Sequence, residues 1–105
     1  MKYCLLLIIM IPNLVFSNMT TDQVVKKVQR SIVKHHLTSV KLSCLHFFIE
    51  EDDTNYFITI REHHNKQCGG DPDTSPRLFT YEVNKSNGKM RVDDQIWTGE
   101  SRDID

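Results

Sequence analysis

A helical spacing of branched apolar residues is the first regular pattern in the chain. Polar and basic residues fill the positions between them, so the pattern predicts an amphipathic helix with one buried stripe. The apolar positions are Val24, Val25, Val28, Ile32 and Val33. Thr20 and Gln23 have the spacing of a capping box, and we therefore expect the helix to begin there and to end near His35 or His36.

Four stretches with the alternation of a strand follow, the last of them a short one with Met90 and Val92 directed inward, and polar, turn-forming residues separate them. They are residues 40–50, 56–62, 77–84 and 89–93. The first two are expected to form an antiparallel hairpin, and Asn87-Gly88 favours a tight turn between the last two. Within the first stretch the apolar alternation changes phase, which predicts either a bulge between Cys44 and His46 or a strand covered on both faces.

These elements predict one small α+β domain, in which one N-terminal amphipathic helix packs on a four-stranded antiparallel sheet. The helix covers one face, and the other face is expected to be partly exposed and to carry several aromatic side chains. Such a face is a common protein-binding surface. In the tail, we expect Trp97 to pack against the body of the domain and the last six residues to fray.

Residues 1–17 have the pattern of a secretory signal peptide. A single Lys2 precedes an unbroken apolar run over residues 5–11, and Ser17 is a small residue at the expected cleavage point. The apolar run is too short to span a bilayer. We therefore expect a mature domain of residues 18–105 in the periplasm of a Gram-negative bacterium, or secreted, with no stable membrane anchor.

Cleavage would remove Cys4 and leave Cys44 and Cys68. Two cysteines in an oxidising compartment have one intramolecular connectivity, which predicts a Cys44–Cys68 disulfide. Free thiols, or a disulfide between chains, are the alternatives. The chain has 13 basic and 14 acidic residues in a mixed order, and this near-neutral balance gives no support for nucleic-acid binding.

The segment between the second and third strands, residues 62–76, has no hydrophobic period and contains two glycines, two prolines and Cys68. It is therefore interpreted as a long ordered loop, and such loops are commonly functional. A loop stiffened by a disulfide and by prolines loses little entropy when it binds a partner. The predicted partner-binding residues are His63, His64, Lys66, Asp71, Asp73 and Arg77.

The same segment has side chains of the types that bind metals, including Glu62, His63, His64 and Cys68. Adjacent histidines in an extended chain point to opposite faces, and Cys68 is expected to be oxidised. We therefore expect no metal, no cofactor and no catalytic residue. A small metal-binding protein or an enzyme that uses both histidines and a carboxylate remains an alternative.

Residues 79–90, Phe-Thr-Tyr-Glu-Val-Asn-Lys-Ser-Asn-Gly-Lys-Met, resemble the strand–turn–strand ending of PepSY-type modules. Those modules are exported and bind or inhibit other proteins. The overall plan is also similar to that of small periplasmic inhibitors and immunity proteins that block cell-wall hydrolases. The resemblance implies a binding protein whose partner is such a hydrolase or a toxin. A structural accessory subunit that acts through its open sheet face is the alternative.

Overall fold

The computed structural model describes residues 18–95 and 99–105, as a helix packed against one face of a five-stranded antiparallel sheet. Each strand pairs with the next along the chain, so β1 and β5 form the two edges. The elements are α1 (Thr21–Lys34), a 3-10 turn (Leu42–Cys44), β1 (Leu45–Glu51), β2 (Asn55–Glu62), β3 (Arg77–Asn84), β4 (Met90–Gln95) and β5 (Glu100–Ile104). The predicted signal peptide and the predicted packing of Trp97 lie outside the described residues.

Helix α1 begins and ends where the sequence predicts. The Gln23 amide donates to Thr20 Oγ1 at 3.2 Å, and the Thr20 amide donates to Gln23 Oε1 at 2.9 Å, which confirms the capping box. At the other end the chain leaves the helix through His36, whose φ is 51°. In the described part of the chain, no helix has the length and apolar character needed to cross a membrane.

Strand β1 begins later than predicted. Residues 42–44 form the 3-10 turn, in which the Cys44 amide donates to Lys41 O at 2.8 Å. From Leu45 onward β1 pairs with β2 in unbroken register. The prediction of a bulge near Cys44 was therefore wrong: the change of phase marks the start of the strand, because only from Leu45 does the backbone have the two-residue period of a strand.

The prediction of a frayed tail was also wrong, and the sheet has five strands instead of four. Strand β5 pairs with β4, and Ile104 lies opposite Met90 with only 9 % of its surface exposed. Two Arg102 nitrogens each lie 2.8 Å from an Asp94 carboxylate oxygen. The tail is ordered because it contributes a core side chain and because its charges are paired with those of β4.

The hydrophobic core lies between α1 and the sheet face that α1 covers. It contains Val24, Val28, Ile32, Leu45, Tyr56, Ile58, Ile60, Phe79, Tyr81, Val83, Met90, Val92 and Ile104. The alternating strand residues lie on the opposite face, which we call the open face. As predicted, this face carries aromatic residues: Phe57 is half-buried, and Phe48 is 49 % exposed.

Candidate binding loop

Residues 63–76 connect β2 to β3, and we call this segment the braced loop. Three hydrogen bonds hold its two ends together. The Glu62 amide donates to Pro76 O at 2.9 Å, Ser75 Oγ donates to Glu62 O at 2.9 Å, and the Arg61 guanidinium donates to Ser75 O at 2.8 Å. The hydrogen bonding between β2 and β3 therefore extends into the base of the braced loop.

A disulfide fixes the first half of the braced loop to the chain in front of β1. Cys44 and Cys68 are bonded, with their Cα atoms 5.7 Å apart, as the sequence predicts. The His63 amide also donates to Cys44 O at 2.8 Å. A covalent bond and a hydrogen bond therefore both attach this half of the loop to Cys44.

Two turns built on short polar side chains shape the rest of the loop. Asn65 Oδ1 accepts from the amides of Gln67 and Cys68 at 2.9 and 2.7 Å. Asp71 Oδ1 accepts from the Asp73 amide at 2.9 Å, and Asp71 O accepts from the Thr74 amide at 3.0 Å. These turns pair four backbone amides within the loop and so constrain its conformation.

His64 lies inside the braced loop, with 12 % of its side chain exposed. Its Nε2 is 2.9 Å from Glu62 Oε1, and its Nδ1 is 2.9 Å from Asp71 O. Both neighbours are acceptors, and the protonated imidazole, which carries a hydrogen on each ring nitrogen, can donate to both. The hydrogen bond to Glu62, followed by that to the Asp71 carbonyl, raises the pKa of His64 above its ordinary value. A Cβ added at Gly70 would lie 2.6 Å from the His64 ring, so the glycine permits this close approach.

His63 points the other way, as expected for adjacent residues of an extended chain. Its Nδ1 lies 2.6 Å from Nε2 of His46 on β1, and the His46 ring stacks with Phe48 at a centroid distance of 5.8 Å. We call His46, Phe48 and His63 the aromatic strip. Sequence reasoning did not single out His46 and Phe48. The alternation that starts at Leu45 would have placed both on the open face.

The structure separates the six predicted partner-binding residues. Lys66 and Asp73 lie on the exposed surface of the braced loop, and neither side chain forms an ion pair with a described residue. Arg77 instead forms an ion pair with Asp93 of β4 and donates to Thr80 Oγ1 at 3.1 Å, so it belongs to the open face. The remaining three, His63, His64 and Asp71, take part in the contacts described above.

The exposed part of the braced loop carries mainly polar and charged side chains. Within residues 18–95 and 99–105, no three His, Cys, Asp or Glu side chains are grouped so that they would hold a metal ion. The Cys68 sulfur is bonded to Cys44, so it is not a thiolate nucleophile. No protein-family model matches this chain, and neither a curated protein nor a solved structure is significantly similar to it.

Proposed function

We propose that this protein is a small exported binding protein, an inhibitor or immunity protein that blocks a secreted or cell-wall-degrading enzyme with its braced loop. One observation carries the proposal. Residues 69–77 are all exposed, although hydrogen bonds within the loop and the nearby disulfide fix its backbone. A loop that is ordered before binding loses less conformational entropy when it binds, and this favours tight inhibition.

The exposed side chains of the loop indicate how it would contact an enzyme. Lys66 and Asp73 offer one charge of each sign, and neither is neutralised by an ion pair within the described part of the protein. Pro72 adds a rigid apolar surface between Asp71 and Asp73. A projecting loop of this kind suits insertion into an enzyme cleft, as in inhibitor complexes of standard interface size.

The periplasm, or the medium outside the cell, is the proposed location. The Cys44–Cys68 disulfide and the signal-like pattern of residues 1–17 support export, because disulfides persist in oxidising compartments. The resemblance of residues 79–90 to exported PepSY-type modules supports the same proposal. The proposed partner is a hydrolase of the cell wall or a toxin that acts in that compartment.

Two matched double variants test this function. Lys66→Ala with Asp73→Ala removes one lysine and one aspartate from the loop, and Lys26→Ala with Asp22→Ala removes the same two residue types from exposed positions of α1. Mature protein immobilised through a tag added after Asp105, away from the braced loop, captures its target from a periplasmic extract. The captured enzyme is identified by mass spectrometry and is then titrated with each variant in a peptidoglycan-hydrolysis assay.

We expect the loop variant to inhibit at least about tenfold more weakly than wild type, as for loss of hot-spot contacts, and the helix variant to inhibit equally. Equal inhibition by both variants, or no hydrolase whose activity falls on titration, would contradict the proposed function.

A second candidate function, a structural accessory subunit, is favoured by the aromatic strip. Phe48 is 49 % exposed on the open face and stacks with His46. An exposed aromatic pair of this kind is typical of protein interfaces. Under this alternative, Phe48→Ala would abolish partner capture and the Lys66/Asp73 double variant would leave it unchanged.

A further inference from the structure

The two edges of the sheet differ in chemistry. Strand β5, at one edge, has the sequence Glu-Ser-Arg-Asp-Ile, and such charges commonly protect an edge from pairing with another chain. Strand β1, at the other edge, has Phe47-Phe48-Ile49 at its centre and contains neither lysine nor proline. Phe48 is 49 % exposed on the open face, and Phe47 and Ile49 are only partly buried on the other. The centre of the β1 edge is therefore apolar on both faces, and His46 and the exposed carboxylate of Glu50 flank Phe48 on the open face.

The backbone of β1 is also available for pairing. Hydrogen bonds from His63 N–H to Cys44 O and from Asp52 N–H to Asn55 O show that the even-numbered residues bond to β2. The odd-numbered residues Phe47 and Ile49 therefore direct their amides and carbonyls outward. In residues 18–95 and 99–105, no strand pairs with this side of β1.

We propose that β1 pairs with β1 of a second copy of this chain, in an antiparallel two-fold arrangement centred on Phe48. In this register Phe48 lies opposite Phe48 of the second copy, and Phe47 lies opposite Ile49. His46 lies opposite Glu50, an exposed carboxylate that forms no ion pair with a described residue. The edge is thus complementary to itself, as a two-fold interface requires.

The alternative registers are less complementary. Any other register must differ from this one by two residues, because only the odd-numbered residues direct their amides and carbonyls toward the second copy. A shift in one direction places His46 opposite Phe48, and a shift in the other places Glu50 opposite Phe48. Only the register centred on Phe48 matches aromatic with aromatic and histidine with carboxylate on the open face.

The geometry of β1 determines how many backbone hydrogen bonds the two copies can form and how closely their side chains approach. The Leu45 amide already donates to Leu42 O, so the pairing would add about six backbone hydrogen bonds. Phe48 and His46 occupy positions that do not hydrogen-bond across the new interface, where facing side chains approach most closely. Because one strand per copy forms the interface, we expect a reversible dimer with a dissociation constant on the order of micromolar. The dimer does not depend on the function proposed for the braced loop.

Sedimentation velocity over a concentration series tests the dimer. We expect wild-type mature protein to dimerise, and Phe48→Lys to be monomeric because it places two like charges opposite each other. Val33→Lys is the matched control, since Val33 is the other large apolar side chain exposed in the described residues, at 55 %, and lies on α1. Its dimer is expected to be unchanged. Wild type that stays monomeric up to about 1 mM, or a dimer that dissociates with Val33→Lys but not with Phe48→Lys, would overturn the proposal.

Two further experiments fix the register. Glu50→Lys and His46→Glu should each weaken the dimer at least about tenfold, and the double variant should restore it by exchanging the two sides of the pair. Phe48→Cys should form a covalent dimer on mild oxidation, whereas Thr59→Cys, beside it on β2, should not. Peptide mapping verifies that the Cys44–Cys68 bond remains. Failure of the double variant to restore dimerisation, or equal cross-linking of both cysteine variants, would overturn this register. A monomeric wild type whose β1 binds an extended peptide of another protein would overturn the homodimer itself.

Discussion

The hydroxyl oxygens of Ser31 and Tyr81 lie 2.8 Å apart, between helix α1 and the centre of β3. The exposed fractions of the two residues are 2 % and 0 %. A buried hydroxyl without a partner is destabilising, and these two satisfy each other in a core formed mainly by apolar side chains. Burial also raises the pKa of Tyr81 above its ordinary value, so the phenol stays neutral. The pair thus links α1 to β3 through a buried hydrogen bond.

A double-mutant cycle measures this link. Ser31→Ala or Tyr81→Phe alone should lower the free energy of unfolding by about 1–2 kcal/mol, because each leaves one buried hydroxyl unpaired. The double variant should be at least as stable as the less stable of the two single variants, because it leaves no hydroxyl unpaired. Guanidinium denaturation gives all three values. Thr59→Val is the control: it breaks the 3.3 Å contact with Thr80 on the open face, where water replaces the lost hydrogen bond. Strict additivity of the core variants would contradict the interpretation.

His64 should make the stability of the loop depend on pH. Its pKa is raised above 6.5, first by the hydrogen bond to Glu62, so the folded protein binds the proton more tightly than the unfolded chain. The stabilisation is therefore complete below pH 6.5 and is lost as pH rises through the folded pKa. NMR titration of the imidazole should show a midpoint above 6.5. Glu62→Gln should lower this midpoint and Glu50→Gln should leave it unchanged; a wild-type midpoint at or below 6.5 would contradict the geometry.

The disulfide should stabilise the braced loop more than the core. Cys44→Ser with Cys68→Ser opens a loop with a sequence separation of 24 residues, which predicts a loss of about 3 kcal/mol in the free energy of unfolding. Amides of the braced loop should then exchange faster with solvent, whereas those of β3 should remain the most protected. Denaturation and hydrogen exchange measure the two effects. Unchanged protection of the backbone amides at positions 68 and 69 would show that the turns alone order the loop.

The two adjacent glycines of the loop offer a matched comparison. Gly69 and Gly70 have φ values of 81° and 79°, so alanine at either position is strained by roughly 1–2 kcal/mol. A Cβ at Gly69 meets nothing within 4 Å, whereas one at Gly70 meets the His64 ring at 2.6 Å. Gly70→Ala should therefore destabilise more than Gly69→Ala and should displace His64 from Glu62, which NMR detects as a lower His64 pKa. Equal effects of both variants on that pKa would argue against packing of His64 on Gly70.

The sequence predicted helix α1 and four of the strands because their residues alternate with the period of a helix or of a strand. The capping box fixed the start of α1, and the period-two alternation predicted residues 77–84 with the bounds that the structure has. Strand β5 was missed because an edge strand needs little apolar content: Ile104 is its only buried residue. The 3-10 turn at residues 42–44 was missed because its apolar residues also fit a strand.

The braced loop was predicted as an ordered element, but the contacts that its residues form with one another were not. Whether the His64 side chain faces a partner or the loop interior depends on which acceptors the folded chain brings near it. The Asp71 carbonyl becomes such an acceptor only because the chain turns back on itself between the two residues. In the same way, His46 meets His63 only through the pairing of β1 with β2. Contacts between residues distant in sequence leave no local pattern, so sequence alone could not predict them.

Different residues of the braced loop hold its backbone and project from it, and this determines which positions tolerate substitution. Asn65, His64 and Asp71 hold the conformation, whereas the side chains of Lys66 and Asp73 project from it. The projecting positions are therefore free to accept new residue types without refolding the domain. A randomised library at these two sites should yield many well-folded members and, under the function proposed for the braced loop, members with altered target preference.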